Sequence, residues 1–146
     1  MLEQLTFLLA PLGYAGLTAS MISAVYRHTP LGLWRVTALV IVTHVGLVWH
    51  VRYAWQFNEA TRNGYAGFAM FHTALLAIVV STIVGEDLRR KLLVTAFLVV
   101  SLGASVAVYK YDVVAGYRFP VHAITAIGLL AVGRRLWLAS RGPTPA

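Results

Sequence analysis

The sequence reads as five long apolar runs that follow one another with only short charged breaks. An apolar helix of about 20 residues spans the hydrocarbon core of a bilayer. Runs over 6–26, 33–55, 65–84, 92–109 and 119–138 therefore predict an all-α integral membrane protein, a bundle of five transmembrane helices. Residues 1–140 form one membrane domain on this reading, and 141–146 a disordered tail. The breaks carry the punctuation expected between spans: Arg27-His28-Thr29-Pro30, the polar stretch 56–64, the charged turn Gly85-Glu86-Asp87-Leu88-Arg89-Arg90-Lys91, and the stretch 110–118. His28, beside Arg27, reads as solvent-facing.

Composition agrees. Of 146 residues, 59% are hydrophobic and only 12% charged, against about 25% charged in an ordinary soluble domain. The formal net charge of +7 would suggest nucleic acid in a soluble chain. Here the cations lie between apolar runs, where topology and lipid headgroups account for them, and no nucleic-acid partner is expected. The absence of cysteine excludes disulfides, thiolate catalysis, Cys-ligated clusters and haem attached through a Cys-x-x-Cys-His motif. Met1-Leu2-Glu3-Gln4 lacks the positive region of a signal peptide, so the first run reads as a retained helix.

Charge asymmetry predicts orientation. Arg27, Arg35, Arg89, Arg90, Lys91, Arg134, Arg135 and Arg141 fall on one side, and Arg52, Arg62, Lys110 and Arg118 on the other. The positive-inside rule then puts the N-terminus outside and the C-terminus in the cytoplasm, in a bacterial inner membrane. Trp49, Tyr53 and Trp55 mark the outer interface as an aromatic belt. Gly16, Ser20 and Ser23 in the first run, and Gly103 with Ala107 in the fourth, are small residues at helical spacing that suit close packing. Pro11 and Gly13 are placed to bend the outer half of the first span.

Histidines inside the runs carry the functional signal, because an intramembrane imidazole is costly without a partner. His50 lies roughly 8 Å below the outer surface, His72 roughly 10 Å and His122 roughly 5 Å, at about 1.5 Å per residue. Three histidines from three helices thus share one level. His44 lies about 9 Å deeper than His50 and on another face of the same helix. Gly46 and Thr43 share the His50 face, and the glycine leaves room for a flat macrocycle; Ala126 does the same beside His122. Arg52 and Arg118 lie just above this level, placed to neutralise haem propionates. Imidazole ligates haem iron, and it also suits copper or zinc at a point shared by His50, His72 and His122. A single intramembrane histidine also serves as a packing residue that hydrogen-bonds across a helix interface. All five acids, Glu3, Glu59, Glu86, Asp87 and Asp112, fall at ends or in breaks, which argues against a di-iron site and a carboxylate relay.

Five spans, an outside N-terminus and histidines on the second and fifth spans resemble the small membrane cytochrome b subunits of respiratory oxidoreductases. The gamma subunit of membrane-bound nitrate reductase is the nearest in topology, and five-helix succinate dehydrogenase anchors are similar more loosely. The resemblance implies haem b, one or two, held between the second and fifth spans. His50 and His122 match the outer pair, and His44 the second-span ligand of an inner haem. No second histidine follows His122, so a second haem would draw its other ligand from His72 or from a partner. Directly packed helices lie about 8–10 Å apart, so ligands should come from across a bundle, His50 or His72 facing His122.

The sequence thus predicts an electron-transfer subunit carrying electrons between a quinone and a partner redox subunit near the outer face, with bond-making chemistry left to other subunits. Loops 56–64 and 110–118 would face that partner, and Tyr109, Tyr111, Tyr117 and Trp49 are candidates to line a quinone pocket. The other readings are a cofactor-free accessory subunit of a larger membrane complex and the tri-histidine copper or zinc site. Replacing His122 by alanine is expected to abolish haem binding on the first reading.

Overall fold

The computed structural model describes residues 1–26, 31–62 and 64–141. Residues 27–30, where the sequence places a break and a solvent-facing His28, lie outside the described residues, as do Asn63 and residues from 142 onward. The described chain is all-helical: α1 Leu2–Tyr26, α2 Leu31–Tyr53, a short α3 Phe57–Thr61, α4 Tyr65–Ser81, α5 Glu86–Lys110 and α6 Arg118–Ser140, with a 3-10 turn Asp112–Tyr117 before α6. Four stretches are long and apolar enough to cross a membrane: α1, α2, α5, and α6 together with its leading turn. The third expected span is the exception, since α4 has 17 residues and ends at Ser81 rather than 84.

Several boundaries differ from the sequence reading for local reasons. The Glu86–Lys91 stretch is the first turns of α5 rather than a free turn. Glu86 and Asp87 sit there because acids complement the positive end of a helix. Stretch 56–64 contains α3, and 110–118 is mostly the 3-10 turn.

Pro11 lies inside α1. A proline removes the N–H that would bond the carbonyl four residues back, here that of Phe7. The Tyr117 hydroxyl donates to this freed carbonyl at 3.2 Å, so the turn before α6 satisfies the group that Pro11 leaves open.

At the end of α2, Ala54 and Trp55 both have positive φ, +47° and +60°. Trp55 N–H closes onto the Trp49 carbonyl at 3.1 Å, and its indole stacks on that of Trp49.

α1 is central, packed against α2, α5 and α6; α5 also packs on α4 and α6. Trp34, Phe97, Leu17, Met21, Ile78 and Leu93 form the fully buried core. Close approach between helices needs missing side chains at Gly16, Gly103 and Gly128. A Cβ on Gly128 would fall into the Phe97 ring, and one on Gly103 would meet Phe71 and Met70. Gly16 faces Thr37 and Ser20 is fully buried, as the small-residue pattern predicts for a packed face.

One polar cluster crosses the core. The Tyr14 hydroxyl lies 2.6 Å from Ser101 Oγ and 2.7 Å from Thr125 Oγ1, joining α1, α5 and α6. Thr125 also donates to the Val121 carbonyl at 2.7 Å.

At the end of the bundle away from the N-terminus, guanidinium groups close helix C-termini. Arg90 Nε donates to Ala24 O at 2.8 Å and Arg135 Nε to Val25 O at 3.3 Å, both at the end of α1. Arg89 donates to Ser81 O and Val84 O at the end of α4. Terminal helix carbonyls lack intrahelical partners and carry partial negative charge, so these cations satisfy both needs.

Candidate functional site

The four intrahelical histidines occupy the half of the bundle that holds the N-terminus, each in a different environment. His44 on α2 is half-buried, and its Nδ1 lies 3.0 Å from the Thr6 carbonyl of α1. A carbonyl only accepts, so Nδ1 carries the proton and Nε2 bears the lone pair. No partner for Nε2 is present among the described residues. Ligating histidines use this arrangement, one ring N–H on a carbonyl to fix the ring and the other nitrogen left for the metal.

His50, nearly two turns further along α2, is exposed on the bundle wall, and no hydrogen bond or ring contact engages it among the described residues. Thr43 on the same face is also exposed. A Cβ at Gly46 would meet nothing within 4 Å. The glycine is therefore not required by packing within this chain, and the wall beside His50 is open.

His72 on α4 is engaged through both nitrogens. Nδ1 donates to Phe68 O at 2.8 Å, and Nε2 accepts from Trp49 Nε1 at 3.2 Å. Its ring stacks on Phe68 at 3.9 Å between centroids and meets Trp49 edge-on. Trp49 is the hub of this corner, touching Tyr53, Trp55, Phe68 and His72. It belongs to the aromatic cluster expected at the interface, but its indole N–H also ties α2 to α4.

His122 on α6 is exposed, and its Nε2 lies 3.0 Å from the Tyr109 hydroxyl. Arg118 lies over the same Tyr109 ring at 5.1 Å and donates to Val108 O. Tyr109, expected as a candidate to line a quinone pocket, is thus the partner of one candidate ligand. Arg52 pairs with Glu3 at 3.5 Å and lies over Phe7 at 5.6 Å. Both arginines are engaged by the chain itself.

His50, His72 and His122 do not meet at one point: among the described residues no group of three or more His, Asp or Glu side chains gathers as a metal cluster. His72 and His122 are held by Trp49 and Tyr109, while Nε2 of His44 and of His50, both on α2, has no partner among the described residues. Two recesses lie at the opposite end of the bundle, and no histidine is among their lining residues.

Sequence reasoning missed the Tyr14–Ser101–Thr125 cluster and the Tyr109–His122 bond. The signal for the first is a lone tyrosine in mid-run, since a buried phenol needs a hydrogen-bond partner. Comparison with family models, with curated proteins and with solved structures found no match.

Proposed function

We propose that the chain is a membrane-embedded b-type cytochrome subunit whose own ligands are His44 and His50 of α2, working within a larger redox complex. The observation that carries this reading is that both histidines leave Nε2 without a partner among the described residues, while the Nδ1–H of His44 is fixed by Thr6 O. Neutral imidazole of this tautomer is a suitable axial donor for haem iron. His44 and His50 lie about 9 Å apart along one helix, so each would hold a haem together with a residue of a partner subunit or another copy. The open wall at Gly46 suits that arrangement. Haem supplies one-electron transfer when bound; the chain's part is to hold and orient the imidazoles and to keep water from them.

Five spans, with the N-terminus outside, belong to the same proposal. At about 1.5 Å per residue α4 is roughly 25 Å long. The turn at 82–84 brings it close to a hydrocarbon core of about 30 Å. The side bearing eight of the twelve basic residues would be cytoplasmic. A quinone as electron donor or acceptor is part of the reading too.

The test is a visible spectrum of the purified protein, air-oxidised and then dithionite-reduced, with a pyridine haemochrome assay to count haem. A sharp reduced α band lost in both His44→Ala and His50→Ala supports the proposal. A featureless spectrum from properly assembled material removes it.

The second reading is a cofactor-free accessory subunit. It is favoured by His72 and His122, whose bonds to Trp49 and Tyr109 are those of packing residues. Metal analysis of haem-free material separates this reading from a copper or zinc site.

A further inference from the structure

Independently of the haem reading, the arginine-rich end of the bundle carries a built recess. Between α5 and α6, over the end of α1, lies a groove of about 360 Å³ lined by Arg90, Lys91, Arg135, Val94, Val132 and Leu136, among others. A single water occupies about 30 Å³, so the space suits a headgroup rather than one solvent molecule.

Its two guanidinium groups are held in place. Arg90 and Arg135 each spend Nε on a carbonyl at the end of α1, Ala24 and Val25. A guanidinium has five N–H donors in a planar fork, so each arginine has donors beyond the Nε that it spends on α1. Lys91 is exposed beside them and makes no bond among the described residues. The Arg52–Glu3 and Arg62–Glu59 ion pairs lie elsewhere. Three cations thus border a floor of valine and leucine. The positive-inside rule asks only that cations lie on one side of the membrane. It does not ask that three of them, from two helices, surround one apolar groove.

We propose that this groove binds an anionic phospholipid, its phosphodiester against Arg90, Lys91 and Arg135 and its acyl chains along Val94, Val132 and Leu136. Basic recesses between transmembrane helices take such headgroups by combining charge attraction with apolar contact below it. Fork-shaped donors match phosphate oxygens, and the aliphatic floor continues into the hydrocarbon where the chains would run.

The test uses the full chain purified free of lipid in neutral detergent, with thermal stability followed as lipid is titrated. Phosphatidylglycerol in mixed micelles should raise Tm at concentrations where phosphatidylcholine does not. Lys91→Gln and Arg135→Gln should each weaken the apparent affinity about fivefold, corresponding to about 1 kcal/mol per cation near a charged surface. Lys91→Gln removes no bond among the described residues, so its effect is not one of misfolding. Arg35→Gln, at the same end but outside the groove, should titrate as the unmodified protein. An equal Tm rise with phosphatidylcholine, or unaltered titration of both groove variants, overturns the proposal. An equal loss in Arg35→Gln reduces the effect to general surface charge and overturns it as well. Inorganic phosphate reproducing the shift without lipid would mark a free-anion site and overturn the lipid assignment.

Discussion

Trp49 Nε1 donates to His72 Nε2 across 3.2 Å, while His72 Nδ1 donates to Phe68 O at 2.8 Å. The imidazole is therefore satisfied at both nitrogens, and its tautomer follows from its partners rather than from an assumption. The bond joins α2 to α4 at the corner where these helices meet through Phe68 and Trp49. Interhelical hydrogen bonds in membranes contribute about 0.6 kcal/mol on average and up to about 1.7. A double-mutant cycle of Trp49→Phe with His72→Leu, read by reversible unfolding in detergent, should give a coupling in that range. Zero coupling would mean that the pair is not bonded in the folded protein.

The same geometry sorts the histidines for haem binding. On the proposed reading, His72→Gln and His122→Gln keep the reduced α band, because their partners lie within the chain. His44→Ala and His50→Ala lose it. The opposite pattern, with the band lost at His122 and kept at His50, would restore the pairing that the topological resemblance implies.

Gly46 and Gly128 make a contrasting pair. A Cβ on Gly128 would enter the ring of Phe97, which is fully buried and has nowhere to move. Gly128→Ala should cost about 1–3 kcal/mol through overpacking. A Cβ at Gly46 meets open space, so Gly46→Ala should stabilise the isolated chain by up to about 1 kcal/mol through helix propensity. If the wall beside His50 receives haem or a partner, Gly46→Ala lowers haem content while leaving Tm unchanged or raised. Loss of Tm in Gly46→Ala would show that the wall is packed rather than open.

How far the sequence discloses the molecule differs by level. Helices are legible because about 20 apolar residues between charged breaks leave a chain little else to form in lipid. The helical character of 86–91 was not legible, because a cluster of charges looks alike whether it turns the chain or starts a helix. At the site, the common depth of His50, His72 and His122 is an expectation from helical rise. Depth fixes height and not azimuth, however. His50 and His122 face outward, and His72 turns toward Trp49. Which side of a helix faces a neighbour depends on packing such as Gly16 against Thr37 and Gly128 against Phe97, contacts between residues far apart in the chain. Arg52 and Arg118 illustrate the same limit. Their height suits propionates, yet Glu3, Phe7, Val108 and Tyr109 are the groups that engage them.

Ala54 and Trp55 both adopt left-handed φ at the end of α2, a conformation that costs a residue with a Cβ roughly 1–2 kcal/mol. Ala54→Gly should relieve part of this and raise stability by several tenths of a kcal/mol to about 1. The Trp55 stack on Trp49 should persist, which unchanged near-ultraviolet circular dichroism would verify.

Tyr117 and Pro11 provide the sharpest test of the fold. Pro11 leaves the Phe7 carbonyl without its helical donor, and the Tyr117 hydroxyl takes that place at 3.2 Å. Tyr117→Phe should destabilise the protein by about 0.6–1.7 kcal/mol, the range for an interhelical bond in a membrane. In a Pro11→Ala background the alanine N–H can bond Phe7 O within the helix, so the same substitution should cost close to nothing. Denaturation of the four proteins of this cycle in one detergent measures both values. Equal cost of Tyr117→Phe in the two backgrounds would mean that the hydroxyl serves an acceptor other than the Phe7 carbonyl.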